Sequence, residues 1–130
     1  MNAPQQSPGW QREGLATLFD RRPDEGIYRV DRSIYTDPVL LELEMEHIFE
    51  GSWIYVAHES QIPEKGDFIT HTMGRQPVII NRDMQGEING FINACPHRGA
   101  RLCRTELGNK KRFVCTYHGW TFASSGEAQW

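Results

Sequence analysis

Two short stretches concentrate residue types that bind metals: Cys95-Pro96-His97 and, seventeen residues on, Cys115-Thr116-Tyr117-His118. Thiolate sulfur and imidazole nitrogen are ligands that soft and borderline metals prefer. Two matched Cys and His pairs suit either one tetrahedral zinc ion or a 2Fe-2S cluster in which two cysteines bind one iron and two histidines the other. The spacing favours the cluster. Structural zinc usually takes paired ligands from turns with two to four intervening residues, and Cys95 and His97 are separated by one. A loop whose cysteine and histidine go to different irons has only to bridge the cluster, which gaps of one and two residues allow. Exchanging two thiolates for neutral imidazoles makes such a cluster easier to reduce, with potentials of roughly −150 to +300 mV against about −400 mV for plant-type clusters. The chemistry expected is one-electron transfer, with the free ring nitrogen of each histidine able to couple protonation to redox state.

Each pair needs a loop held at the end of a strand, and the surrounding sequence supplies strands. From Trp53 onward, short runs rich in β-branched and aromatic residues alternate with Gly, Pro, Asn and Ser. They predict strands at Trp53 to Ala57, Asp67 to Met73, Gln76 to Asn81, Glu87 to Ala94, Arg112 to Thr116 and Trp120 to Ala123, with a hairpin loop at Arg82 to Gly86. Ahead of them, Leu41, Met45, Ile48 and Phe49 recur at helical spacing, with Glu42, Glu44 and Glu46 turned elsewhere. Thr36 or Asp37 can cap this helix, Pro38 suits its first turn and Gly51 its end, which predicts a helix over Pro38 to Glu50. Residues up to about Trp10 read as a Gln/Pro/Ser/Gly-rich leader, and Leu15 to Phe19 as a turn or two of helix. The expected organisation is a flexible leader over 1–24, a helical segment over 25–52 and a small, mainly antiparallel β domain over 53–130.

Composition limits the function classes. In 130 residues, 38% hydrophobic and 24% charged, the formal charge is −3, an ordinary globular balance that argues against disorder. Mild acidity gives no reason to expect nucleic acid as a partner, and no apolar run is long enough to span a membrane. The first ten residues lack a basic region followed by an apolar one, and three cysteines do not make a disulfide framework, so a reducing cytoplasm is expected. The charge is unevenly placed. Between Cys95 and His118 lie Arg98, Arg101, Arg104, Lys110, Lys111 and Arg112 against the single acid Glu106, a local charge of +5; the remainder carries eight basic and sixteen acidic residues, −8. The basic block surrounds the metal motif and could steer a docking protein, or be a solvated face.

FINACPHRGARLC followed by FVCTYHGWTF closely resembles the Rieske 2Fe-2S domain of the large (α) subunit of aromatic ring-hydroxylating dioxygenases. EGIYRV, YTDP, LELEMEHIFEGSWIYVAHESQIPEKGDF and MGRQPVIINRD extend the resemblance upstream, toward the benzoate and toluate 1,2-dioxygenase branch. It implies that Cys95 and Cys115 ligate one iron and His97 and His118 the other, that backbone N–H groups approach the sulfides at Gly99 and Gly119, and that Trp120 covers the loops. It further implies a whole enzyme in which an NADH-dependent flavin and iron-sulfur reductase feeds the cluster. The cluster in turn feeds a mononuclear iron that cis-dihydroxylates an aromatic acid such as benzoate. Partners implied are a β subunit and other α subunits, commonly three of each. The mononuclear iron belongs to a C-terminal domain absent from this sequence. Only twelve residues follow His118, so the β domain is expected to stop short of its last strands. The rival readings are a free-standing Rieske ferredoxin, which would not need the long preamble, and a zinc-bound interaction module.

The other candidates have plainer readings beside functional ones. Cys103 reads as a buried small hydrophobe rather than a ligand. Tyr117 and Trp120 are core aromatics or shields for His118. His47, His58 and His71 stand alone in sequence, and nothing reproduces the two-histidine, one-carboxylate pattern of an oxygen-activating iron.

Overall fold

The computed structural model describes residues 12–129. The chain divides between Trp53 and Ile54 into two compact units.

The first unit opens with α1 (Arg12–Ala16), followed by an antiparallel hairpin of β1 (Phe19–Arg22) and β2 (Ile27–Val30) with Phe19 opposite Val30 and Arg22 opposite Ile27. Residues 12–24 are therefore structured where the sequence suggested a leader; residues 1–11 lie outside the described part. Sequence pattern hides this hairpin because β1 reads Phe-Asp-Arg-Arg and is exposed along its length. Arg22 ties it together locally, its Nε 3.0 Å from Asp20 Oδ1 and its Nη1 2.6 Å from Glu25 Oε2. Asp37 caps α2 (Pro38–Glu44), its Oδ1 accepting from the N–H groups of Val39 at 2.8 Å and Leu40 at 3.3 Å. The helical path then widens into a single π turn over Met45–Phe49. The buried face differs from the expected one: Leu40 is the buried residue of α2, while Leu41 and Ile48 are about half exposed. A Cβ at Gly51 would lie 2.6 Å from the Glu46 carbonyl oxygen, which fits Gly51 as the stop.

The second unit is mainly antiparallel β, as expected. A four-stranded sheet runs in the order β5-β4-β3-β6, comprising β3 (Asp67–Met73), β4 (Gln76–Arg82), β5 (Ile88–Ile92) and β6 (Leu107–Asn109). A three-stranded sheet contains β7 (Arg112–Val114), β8 (Thr121–Ala123) and β9 (Ala128–Gln129). Phe68 of β3 and Ile79 of β4 meet Phe113 of β7 and Phe122 of β8 in one core with Cys95, Leu102, Cys103 and Cys115. Phe113, fully buried, packs edge-on against Phe68 and Phe91 with ring centroids 5.5 and 5.4 Å away. The predicted hairpin loop between β4 and β5 is built on Asp83, whose Oδ1 accepts from the N–H groups of Gln85, Gly86 and Glu87.

One expected strand is missing and one strand was not expected. Trp53 to Ala57 has strand-forming residues but joins no ladder, and Trp53 and Tyr55 are strongly exposed. Conversely, Leu-Gly-Asn makes strand β6 through pairing with β3, with Phe68 opposite Gly108, a partner some forty residues away that no local pattern announces.

Candidate metal centre

The two loops that carry the candidate ligands share one backbone design. In each, the cysteine carbonyl accepts from the N–H of the glycine four residues on: Gly99 to Cys95 at 2.8 Å and Gly119 to Cys115 at 2.9 Å. In each, the cysteine N–H donates to the carbonyl five residues on: Cys95 to Ala100 at 2.8 Å and Cys115 to Trp120 at 2.7 Å. Closing such a turn requires left-handed backbone at the glycines, whose φ angles are +70° and +76°. The histidine sits third in the first turn and fourth in the second, so the differing gaps of the two motifs are two settings of one frame.

This frame sorts the candidate ligands by depth. Cys95 and Cys115 are each only 2% exposed and belong to the core, whereas His97 and His118 are exposed. The imidazoles come together at the surface, ring centroids 4.7 Å apart and planes at 60°. The thiols come together beneath, the Cys95 side chain close enough to hydrogen-bond to Cys115. The Tyr117 N–H above all holds the Cys115 thiol below its ordinary pKa; burial opposes this, and the His118 N–H and the Cys95 side chain reinforce it. Among the described residues no three His, Cys, Asp or Glu side chains gather at a point that could hold one ion. The donor set is two thiols in one place and two imidazoles in another, with N–H groups aimed at a sulfur. It fits a two-metal cluster with sulfur ligands on one iron and nitrogen ligands on the other better than a single tetrahedral ion.

Neighbouring side chains fix this arrangement. Trp120 stacks on His97, ring centroids 5.0 Å apart and planes within 6°, and Tyr117 lies 3.9 Å from His118. Trp120 also packs against the hydrophobic core, so it is a core aromatic and a neighbour of His97 at once. Cys103 is buried in the core, with Lys110 Nζ 3.7 Å from its sulfur. Sequence reasoning missed Asn93, which is 2% exposed and exchanges two hydrogen bonds with the backbone of Cys103; a hydrogen bond to a residue ten positions on leaves no periodic signal.

The remaining histidines lie elsewhere. His47 lines an apolar cavity of about 290 Å³ with Leu15, Leu40 and Leu43. His58 caps the turn Glu59–Gln61, its ring accepting from the Ser60 N–H at 3.2 Å. His71 lines a polar groove of about 540 Å³ with Arg101, Arg104 and Glu106. Arg98, Arg101, Arg104, Lys111 and Arg112 are exposed, and none forms an ion pair with a described residue.

Residues 52–130, more than half of the chain, match the sequence model of the Rieske [2Fe-2S] domain. The chain belongs to the Rieske [2Fe-2S] domain family. The toluate 1,2-dioxygenase α subunit of Pseudomonas putida is 59% identical over 113 residues, covering 87% of this chain and 25% of that protein. The anthranilate 1,2-dioxygenase large subunit of Acinetobacter baylyi is 51% identical over 108 residues, covering 83% and 23%. A crystal structure of a naphthalene 1,2-dioxygenase variant bound to phenanthrene superposes with a TM-score of 0.73 at 44% identity, covering 78% of this chain and 23% of that one. These relatives bear out the resemblance to dioxygenase large subunits, of whose length this Rieske chain spans about a quarter. No described helix is long and apolar enough to cross a membrane.

Proposed function

We propose that this chain is the electron-relay portion of an aromatic-ring dioxygenase α subunit, with Cys95 and Cys115 on one iron of its cluster and His97 and His118 on the other. The observation that carries this reading is the sorting of ligands by depth, with two thiols joined in the core and two imidazoles joined at the surface. When bound, the cluster supplies reversible one-electron transfer. The chain's own residues do the rest. The buried thiols and the N–H groups of Tyr117 and His118 stabilise negative charge on sulfur, away from water. His97 and His118 bring the redox centre to the surface, and Trp120 stacks on one face of His97.

In the whole enzyme, electrons arrive from an NADH-dependent reductase and leave for a mononuclear iron held outside this chain, with a β subunit and further α subunits completing the assembly. The substrate class is an aromatic carboxylate. The relatives that support it are those named for toluate and anthranilate, more identical to this chain than the naphthalene enzyme. Three unpaired thiols suit a reducing cytoplasm, where NADH is at hand.

Turnover of the complete enzyme with its reductase, NADH and oxygen, comparing benzoate with benzene, tests this reading. A cis-diol from benzoate at a rate well above that from benzene is expected. Preference for benzene would remove the carboxylate assignment, and a cluster that NADH and reductase leave oxidised would remove the relay role.

A further inference from the structure

The two ligand loops share their inner turn but not what holds that turn closed. Cys115 to Trp120 is flanked by paired strands, with Val114 opposite Thr121 and Phe113 opposite Phe122, so an ordinary ladder fixes both ends. The first loop enters from β5, which ends at Ile92, yet residues 101–106 on its far side form no strand. No ladder closes it.

Asn93 occupies the place of the missing strand. Its Oδ1 accepts from the Cys103 N–H at 2.9 Å and its Nδ2 donates to the Cys103 carbonyl at 2.8 Å. One side-chain amide thereby makes the reciprocal pair of bonds that a residue in a partner strand would make. Its own N–H donates to the Pro77 carbonyl at 2.8 Å, anchoring the clamp to β4. The contacts are buried, so each bond lost would leave a desolvated backbone group unpaired. Because Cys103 lies in the same core as Cys95, the clamp fixes the exit of the loop where its entry is fixed by β5.

We propose that Asn93 is the positioning residue of the first ligand loop, setting the placement of Cys95 and His97 while leaving Cys115 and His118 to the β7–β8 ladder. This rests on the reading of Cys95 and His97 as ligands, and the test separates the two ideas. Amide hydrogen exchange is measured on the full chain as purified, for wild type, Asn93→Ala and Asn93→Asp, the last keeping the shape and the acceptor but losing the donor. Asn81→Ala is the control: Asn81 is also fully buried, and donates one bond to the Ser124 carbonyl at 2.7 Å. The expected result is exchange accelerated about tenfold or more across 95–103 in Asn93→Ala, a smaller change in Asn93→Asp, and little change across 115–120. The EPR line shape and midpoint potential of the iron-loaded Asn93 variants shift, while those of Asn81→Ala do not. Asn93→Asp carries the test where Asn93→Ala yields no folded protein. Equal acceleration in both loops, or a line shape and potential unchanged in the Asn93 variants, would overturn the proposal. Loop-specific exchange in a protein that takes up no cluster would remove the ligand reading and leave the clamp standing.

Discussion

His97 and Trp120 come from different ligand loops yet lie face to face, centroids 5.0 Å apart and planes 6° from parallel. Each loop thus covers part of the other, and the indole restricts both the rotation of the imidazole and the approach of water to it. Replacing Trp120 with Leu is expected to shorten the lifetime of the chromophore in air several-fold, and replacing it with Phe to shorten it less. Timed visible spectra of the oxidised protein check this; equal lifetimes for wild type and Leu variant would show that the stack protects nothing.

The core beneath the thiols depends on one ring. Phe113 is fully buried and contacts Phe68 and Phe91 edge-on, bridging the two sheets. Truncation to Ala should cost about 3–5 kcal/mol, the range for large aromatic cavities. Urea unfolding followed by tryptophan fluorescence measures it, and a cost under about 1 kcal/mol would contradict the bridging role.

Gly119 has φ +76°, and a Cβ there would meet nothing within 4 Å. Backbone strain alone should therefore set the cost of Gly119→Ala, about 1–2 kcal/mol. Equilibrium unfolding of the protein stripped of iron gives the number, and no loss would mean that the turn relaxes freely.

Asp83 gives the fold an acid limit. Burial alone would raise its pKa, but the Glu87 N–H, the Asn89 amide and the N–H groups of Gln85 and Gly86 together hold it below the ordinary value. A carboxylate with a depressed folded pKa contributes stability above its unfolded pKa and loses it as pH falls through the folded one. Thermal melts should show stability declining below about pH 4, with a flatter decline in Asp83→Asn. Parallel curves for the two proteins would contradict this.

The Rieske family was legible in the sequence because two Cys and His pairs at fixed spacing are a local signal, as are Asp37 before Pro38 and the β-branched runs of β3 to β5. What escaped was set by partners distant in the chain. Trp53 to Ala57 has the composition of a strand without a ladder to join, and β6 has the ladder without the composition. Asn93 looks like any turn residue until Cys103 is placed against it, and the π turn over Met45–Phe49 carries no residue signature. The basic block was visible as charge; that its arginines are exposed and without described ion-pair partners required the fold.

In the proposed relay, those arginines give a donor protein an exposed basic surface to dock on. Electron uptake from the reductase should slow as ionic strength rises from about 0.05 to 0.5 M, and Arg98→Gln should slow it at low salt and weaken the salt dependence. Stopped-flow reduction kinetics read both; rates indifferent to salt would remove electrostatic docking.

In the proposed function, Cys95, Cys115, His97 and His118 together hold one Rieske cluster. EPR of the anaerobically purified, dithionite-reduced protein, with iron, sulfide and zinc analysis of the same sample, tests it most directly. Expected is a coloured protein with two irons and two sulfides per chain and a reduced signal of mixed nitrogen and sulfur ligation. A colourless, EPR-silent sample with stoichiometric zinc would contradict it.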